Sequence, residues 1–248
     1  MQSEYYFLPR GYVANPAVSF DQNEDVYWDQ ARVENSLAYQ AAAYDWALSL
    51  VRQHNLTSIA DVGCGSAAKL ARLHSAIPTV ETWGLDQPNA IKLCQSHYSF
   101  GQWFPINLDC PDSLPEKTFD LIISSDVIEH LENPDSLLDA IRRMSHSDTL
   151  VLISTPERVC LRGFGCLTSP NLCHVREWSR TEFSDYLVSR GAKILEHKVL
   201  PAFDYCHNMR FFKRALRRWV HLKSIAYNQV VLMRMSTMLL ESRPASWE

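Results

Sequence analysis

Long apolar runs are missing from this 248-residue chain. No stretch approaches the roughly 18 consecutive apolar residues that a helix needs to span a bilayer. The opening segment, MQSEYYFLPRGYVANP, carries an acid at its fourth position and a proline at its ninth, so it does not read as a secretory signal. Paired cysteines are missing too. Cys64, Cys94, Cys110, Cys160, Cys166, Cys173 and Cys206 include no C-x-x-C pair, and the steps from Cys160 to Cys166 to Cys173, with His174 beside the last, fit no usual zinc spacing. Reduced thiols in a cytoplasmic setting are the expectation. Nor is there an excess of one charge. With 24 Lys and Arg against 28 Asp and Glu the formal net charge is −4, which argues against a general nucleic-acid or anionic-membrane surface and confines any basic patch to a local segment. What is present is apolar material for a full core: 46% hydrophobic and 21% charged residues exclude disorder and fit one α/β domain over residues 1–248.

The chain then reads as strands alternating with helices. Residues 27–53 carry apolar positions at helical spacing, including Ala43, Trp46, Ala47 and Leu50. Short apolar strands follow at 58–62, 80–86, 103–109, 119–125 and 149–154, with helices between them. Pro88 and the Asn133-Pro134 pair mark helix starts. Ser179 and Glu182 form a capping box, with Trp178 and Phe183 at the staple positions, and Gly191 ends that helix. Strands at 192–199 and 228–235 close the series, the last pairing antiparallel at the far side of the sheet. This order predicts a Rossmann-like, doubly wound sheet of seven strands with an antiparallel last strand, its ligands at the carboxyl ends of the strands. Residues 1–30 read as an arm packed on the domain or a lid over a site; 157–178 and 204–226 read as insertions shaping an acceptor site.

The first strand and turn read Ile59-Ala60-Asp61-Val62-Gly63-Cys64-Gly65-Ser66-Ala67-Ala68. Gly63 and Gly65 permit a tight turn and close approach of a ligand, and the following helix offers free N–H groups. As G-x-G-x-x-A, with Asp86 about 20 residues on, the segment also fits a dinucleotide site. Asp61 separates the two readings: a carboxylate there suits a cationic ligand and repels a pyrophosphate.

With these residues in view, the sequence resembles the class I S-adenosylmethionine-dependent methyltransferases from about residue 40 to 235, with DVGCGSA for their acid-x-G-x-G-x-G signature and Ala67 in place of the third glycine. The resemblance implies S-adenosylmethionine as cofactor. Asp61 and Gly63, Cys64 and Gly65 would hold its methionine part, Asp86 with Gln87 the ribose, Asp109 the adenine, and Ser125 and Asp126 would complete the site. The segment Asp126-Val127-Ile128-Glu129-His130-Leu131 would face the transferred methyl. An oxygen acceptor must lose a proton, and a histidine suits that task near neutral pH; His130 is the first candidate base. Ser154-Thr155-Pro156, then Asn171 to Trp178 with His174, Arg176 and Glu177, looks like methyltransferases of glycan and natural-product biosynthesis. That likeness makes His174 a second base or acceptor-binding residue and implies a small-molecule or glycan acceptor, with Arg176 and Glu177 placing its hydroxyls, stabilising the loop or forming a local ion pair; Tyr27 and Glu129 are further candidates for contacting the acceptor.

A second resemblance is to small-RNA 3′-terminal 2′-O-methyltransferases, which carry E-x-x-E-H and H-x-x-E-W. It implies a Mg²⁺ or Mn²⁺ site at Asp126, Glu129, His130 and His174, with Asp126 shorter than the glutamate of the pattern. N-methylation of a small molecule, a non-catalytic binding role and a nicotinamide dehydrogenase are the other readings. Residues 208–223 form a basic amphipathic helix suited to an acidic acceptor, a membrane surface or a partner chain, including another copy in an oligomer.

Overall fold

The computed structural model describes residues 2–18, 36–221 and 225–236. Among these residues seven strands form one sheet: β1 Ser58–Val62, β2 Glu81–Asp86, β3 Gln102–Pro105, β4 Phe119–Ser125, β5 Ser145–Pro156, β6 Ala192–Pro201 and β7 Ala226–Met235. Their order is β3-β2-β1-β4-β5-β7-β6. The pairings from β3 to β5 are parallel, and β7 is antiparallel to both of its neighbours. The expected Rossmann-like α/β sheet is therefore the one that forms. One placement differs: β7 lies between β5 and β6 and not at the far side. Val230, Val231, Leu232 and Met233 are all buried, as a strand covered on both faces requires. β6, with Lys193 and Glu196 exposed, has the charges that suit an edge.

The helices are α1 Gln2–Tyr5, α2 Ala41–His54, α3 Ala68–Ala76, α4 Pro88–His97, α5 Pro134–Arg143, α6 Arg158–Arg162, α7 Arg180–Ser189 and α8 Met209–Val220. Alternate residues of the strands feed two cores on opposite faces of the sheet. Ile59, Leu121, Ile123, Leu150 and Leu152 pack under α2, whose Ala43, Tyr44, Ala47, Leu50 and Val51 face them. Ala60, Val62, Ile122, Val151 and Ile153 face the other way, toward Leu137 and Ile141 of α5 and Phe183, Tyr186 and Leu187 of α7. Two expected boundaries move. α2 begins at Ala41 because Gln40 is left-handed, φ 52°, while Tyr39 bridges to Phe203. β3 stops at Pro105, so Asp109 sits in the following loop, where its carboxylate accepts from Asn133 N at 3.1 Å and its carbonyl from Ser136 Oγ. Asp109 thus supports the start of α5, which Asn133 does not cap with its own side chain.

The described part of the N-terminal arm is packed on the body. Leu8 and Tyr12 join the core. The Tyr12 hydroxyl accepts from Glu177 N at 2.9 Å, and Asn15 Nδ2 donates to the carbonyls of Ser169, Asn171 and His174. Trp178 connects arm, loop and sheet. It is fully buried, donates Nε1–H to Tyr6 O at 2.9 Å, and stacks on Tyr186 at 5.5 Å. The expected capping box at Ser179 and Glu182 is formed, with Trp178 against Phe183 at 5.6 Å. Trp178→Ala is expected to lower unfolding free energy by about 3–5 kcal/mol, because the cavity adds to the lost apolar burial. Urea unfolding of the two proteins measures it, and a change under about 1 kcal/mol would show that the arm does not depend on this residue.

Candidate active site

The sheet order reverses between β1 and β4, and a cleft of about 910 Å³ opens there at the carboxyl ends of the strands. Gly63, Cys64, Gly65, Asp86, Gln87, Asp109, Ser125, Asp126, Glu129, His130 and His174 line it. One cleft therefore gathers most of the expected site residues. Tyr27 lies outside the described residues.

The glycine turn after β1 is tight for a specific reason. Gly63 has φ +83°, and a Cβ there would lie 2.2 Å from Val127 Cγ2. Gly63 N and Cys64 N both donate to Leu85 O, which ties the turn to β2. Asp86 fixes it from the other side: one carboxylate oxygen accepts from Gly65 N and the other from Gln87 N, each at 2.7 Å. Beneath the turn Asp61 is fully buried and accepts from Tyr44 Oη at 2.8 Å, while its Oδ1 is buried with no hydrogen-bond partner. Burial raises its pKa to about 7, against the Tyr44 hydrogen bond and the charge of Lys69, which lower it, and with Asp86 adding repulsion. A buried carboxyl with an unmatched oxygen suits a cationic ligand in the cleft above it. The S-adenosylmethionine donor set anticipated from Asp61, Gly63, Gly65 and Asp86 is thus chemically consistent with an ammonium-bearing nucleoside ligand.

Asp126 ends β4 in a left-handed conformation, φ 55°. Its carboxylate accepts from Gln40 Nε2, Ser154 Oγ and Asn228 Nδ2 at 2.7–2.8 Å. Ser154 Oγ also lies 2.8 Å from Ser125 Oγ. Ser154 lies in β5, but Gln40 precedes α2 and Asn228 lies in the last strand, where no local motif announces them. They also decide the metal question in part: the residues whose ligand atoms lie within 4.8 Å of one another are Glu129, His130 and His174, without Asp126. The four-residue set expected from the sequence is therefore a three-residue set, because the shorter Asp126 side chain is held by neutral donors.

Glu129 is fully buried; Thr155 Oγ1 donates to its Oε2 at 3.0 Å, while Oε1 is buried without a partner. Burial, then the charge of Asp126, pushes its pKa well above the carboxylate range. His130 Nδ1 is 2.7 Å from Cys173 O, and a carbonyl can only accept, so this nitrogen carries the proton and Nε2 the lone pair. Burial and the neighbouring His174 lower its pKa to about 4, so it is neutral at pH 7. His174 Nδ1 is 2.7 Å from Glu177 Oε1, and the two imidazole centroids are 4.8 Å apart. Glu177 also accepts from Arg162 and Ser169. Although its burial works the other way, the hydrogen bonds from His174 and Arg162 hold its pKa near 2. An ionised carboxylate at Nδ1 orients the His174 ring, an arrangement common to metal-binding and catalytic histidines.

Arg176 and Glu177, which the sequence offers either for the acceptor or for the loop, make contacts within the loop and its surroundings. Arg176 is buried, donates to Leu131 O and Glu132 O, and lies 4.2 Å from the Tyr6 ring centroid. Neither Arg176 nor Glu177 lines the cleft; Arg176 pins the loop and Glu177 positions His174. The alternation of roles along one strand-like loop could not be resolved from residue type alone.

A methyltransferase-domain family model matches residues 31–221. A small RNA 2′-O-methyltransferase of Rattus norvegicus is 28% identical over 179 residues, which is 66% of this chain and 43% of the rat protein. The corresponding Mus musculus protein is 28% identical over 164 residues, 58% of this chain and 40% of its own length. The chain thus spans less than half the length of these curated relatives. Among solved structures, the plantazolicin methyltransferase BpumL in complex with SAH aligns with TM-score 0.56 at 15% identity, covering 87% of this chain and 89% of that one. The [4+2]-cyclase SpnF aligns with TM-score 0.64 at 13% identity, covering 91% and 100%. At these identities the structural likeness speaks for the fold.

Proposed function

The chain belongs to the methyltransferase-domain family, and from that premise we propose that it moves the methyl group of S-adenosylmethionine onto a hydroxyl of a polar small molecule or glycan. The observation that carries this reading is the cluster of Glu129, His130 and His174 in the cleft that also contains the Gly63–Gly65 turn and Asp86. Asp61, the glycine turn and Asp86 hold the donor in this account. The sulfonium supplies an activated methyl, so the protein's task is alignment, exclusion of water and removal of the acceptor proton. His130 and His174 each have Nδ1 engaged, and in this account Nε2 takes the acceptor's proton.

A second reading is 2′-O-methylation of a terminal ribose in RNA. It is supported by the rat and mouse relatives and by the same cluster, whose buried, unpartnered Glu129 Oε1 and two lone-pair imidazoles fit a divalent cation. Mg²⁺ or Mn²⁺ held there would lower the pKa of a bound hydroxyl as a Lewis acid. The discriminating experiment supplies [methyl-³H]S-adenosylmethionine with a panel of free sugars, sugar nucleotides and short RNAs, each with Mn²⁺ and with chelator. Label on a sugar hydroxyl is the expected result. Chelator-sensitive label on RNA alone would favour the second reading, and label on an amine would overturn both.

A further inference from the structure

α8 lines the cleft but has no part in the reaction proposed above. Its twelve residues include Arg210, Lys213, Arg214, Arg217 and Arg218 and no acid, in a chain whose net charge is −4. Arg210 and Arg214 are the two that line the cleft, together with His130 and His174. They stand four residues apart, on one face of the helix, where like charges repel and lower helix stability. Arg162, which also lines the cleft, pairs with Glu177, Arg158 pairs with Glu182, and Arg176 donates to two backbone carbonyls. Among the described residues neither Arg210 nor Arg214 is in an ion pair. Arg214 lies over the Phe203 ring, 4.5 Å from its centroid. Stacking fixes the plane of the guanidinium and leaves its N–H edge to meet an anion.

We propose that Arg210 and Arg214 bind a phosphate carried by the methyl acceptor, which makes the substrate a phosphorylated hydroxyl compound such as a sugar phosphate or a sugar nucleotide. This deepens the O-methylation reading and rests on it. The two oxygens of a carboxylate are spanned by one arginine, as Arg190 spans Asp135 through Nε and Nη2 beside the hydroxyls of Tyr5 and Tyr186. Two guanidiniums one helical turn apart match a group with more oxygens, and a phosphate has them. The phosphate also explains how a cationic helix can border the acceptor part of the cleft at a cost to its own stability.

The test is a set of calorimetric titrations of the full chain with glucose 1-phosphate, UDP-glucose, unphosphorylated glucose and a short single-stranded RNA, with and without S-adenosylhomocysteine. Three proteins are compared: wild type, Arg210→Gln/Arg214→Gln, and the charge-matched control Lys213→Gln/Arg217→Gln on the same helix away from the cleft. The expected result is that a phosphorylated probe binds wild type, loses at least about tenfold in affinity in the first variant and less than about threefold in the control. If only the RNA behaves this way, the phosphate stands and its source is a nucleic acid. Equal affinities in both variants, equal binding of glucose and its phosphate, or no binding of any phosphorylated probe to wild type would overturn the inference. Arg-dependent phosphate binding without S-adenosylhomocysteine binding would instead sink the methylation reading and leave the anion site in place.

Discussion

His130→Ala and His174→Ala are each expected to lower turnover on a hydroxyl acceptor by about 10²–10⁴-fold, the usual contribution of a positioned base, while leaving S-adenosylhomocysteine affinity within about threefold. The argument starts from hydrogen bonding. Cys173 O and the Glu177 carboxylate take the Nδ1 protons of the two rings, and the rings meet edge to face at 4.8 Å. The two rings then meet in one small region beside Glu129. Neither ring touches the glycine turn through any hydrogen bond that defines it, so donor binding is expected to survive. Because the two imidazoles act in one cluster, the double variant should lose little more than the worse single one. Measuring kcat, KM and S-adenosylhomocysteine affinity for all three variants checks this. Unchanged kcat in both single variants would remove the base assignment.

Asp61→Asn is expected to stabilise the free protein and weaken donor binding at the same time. The buried carboxyl titrates near 7 where its ordinary value is 3.8, so the folded protein holds this proton more tightly than the unfolded chain does. The sign follows from that: the stability is complete below about pH 4 and is lost as pH rises through 7, by about 4 kcal/mol in all. Asparagine keeps an acceptor for Tyr44 Oη and removes the titration. Its gain over wild type should be about 2 kcal/mol at pH 5 and about 4 kcal/mol at pH 8, read from urea unfolding at the two pH values. S-adenosylhomocysteine affinity should fall at least about tenfold, since the carboxylate that offsets the ligand's ammonium is gone. A stability difference that does not grow with pH would mean that Asp61 is not held protonated by its surroundings.

The regular parts of this molecule were legible from pattern. Short apolar runs at 58–62 and 119–125 and the helical stripe of α5 marked elements that feed the two cores, and Gly63, Gly65, Asp86, Glu129, His130 and His174 meet in one cleft at the ends of successive strands. The features that pattern does not reach depend on contacts between distant segments. β7 was recognised as a strand, but its insertion beside β5 is decided by burial on both faces. The sequence places Asp126 at the cofactor site or, by the second resemblance, beside a metal; its capture by Gln40 and Asn228 comes from residues 86 and 102 positions away. Arg176 and Glu177 are adjacent charged residues whose different duties follow from which carbonyls and which imidazole lie within reach. Tyr44 could have been singled out, because it falls on the buried face of α2 with Ala47 and Val51 and a buried hydroxyl needs a partner.

The most direct test of the central claim is a calorimetric titration of the chain with S-adenosylhomocysteine, alongside Asp86→Ala. One molecule bound per chain with micromolar affinity, lost in a variant that still unfolds cooperatively, is the predicted result. Absence of binding to the wild-type chain, or equal binding to both proteins, would contradict the placement of the methyl donor at the Gly63–Gly65 turn.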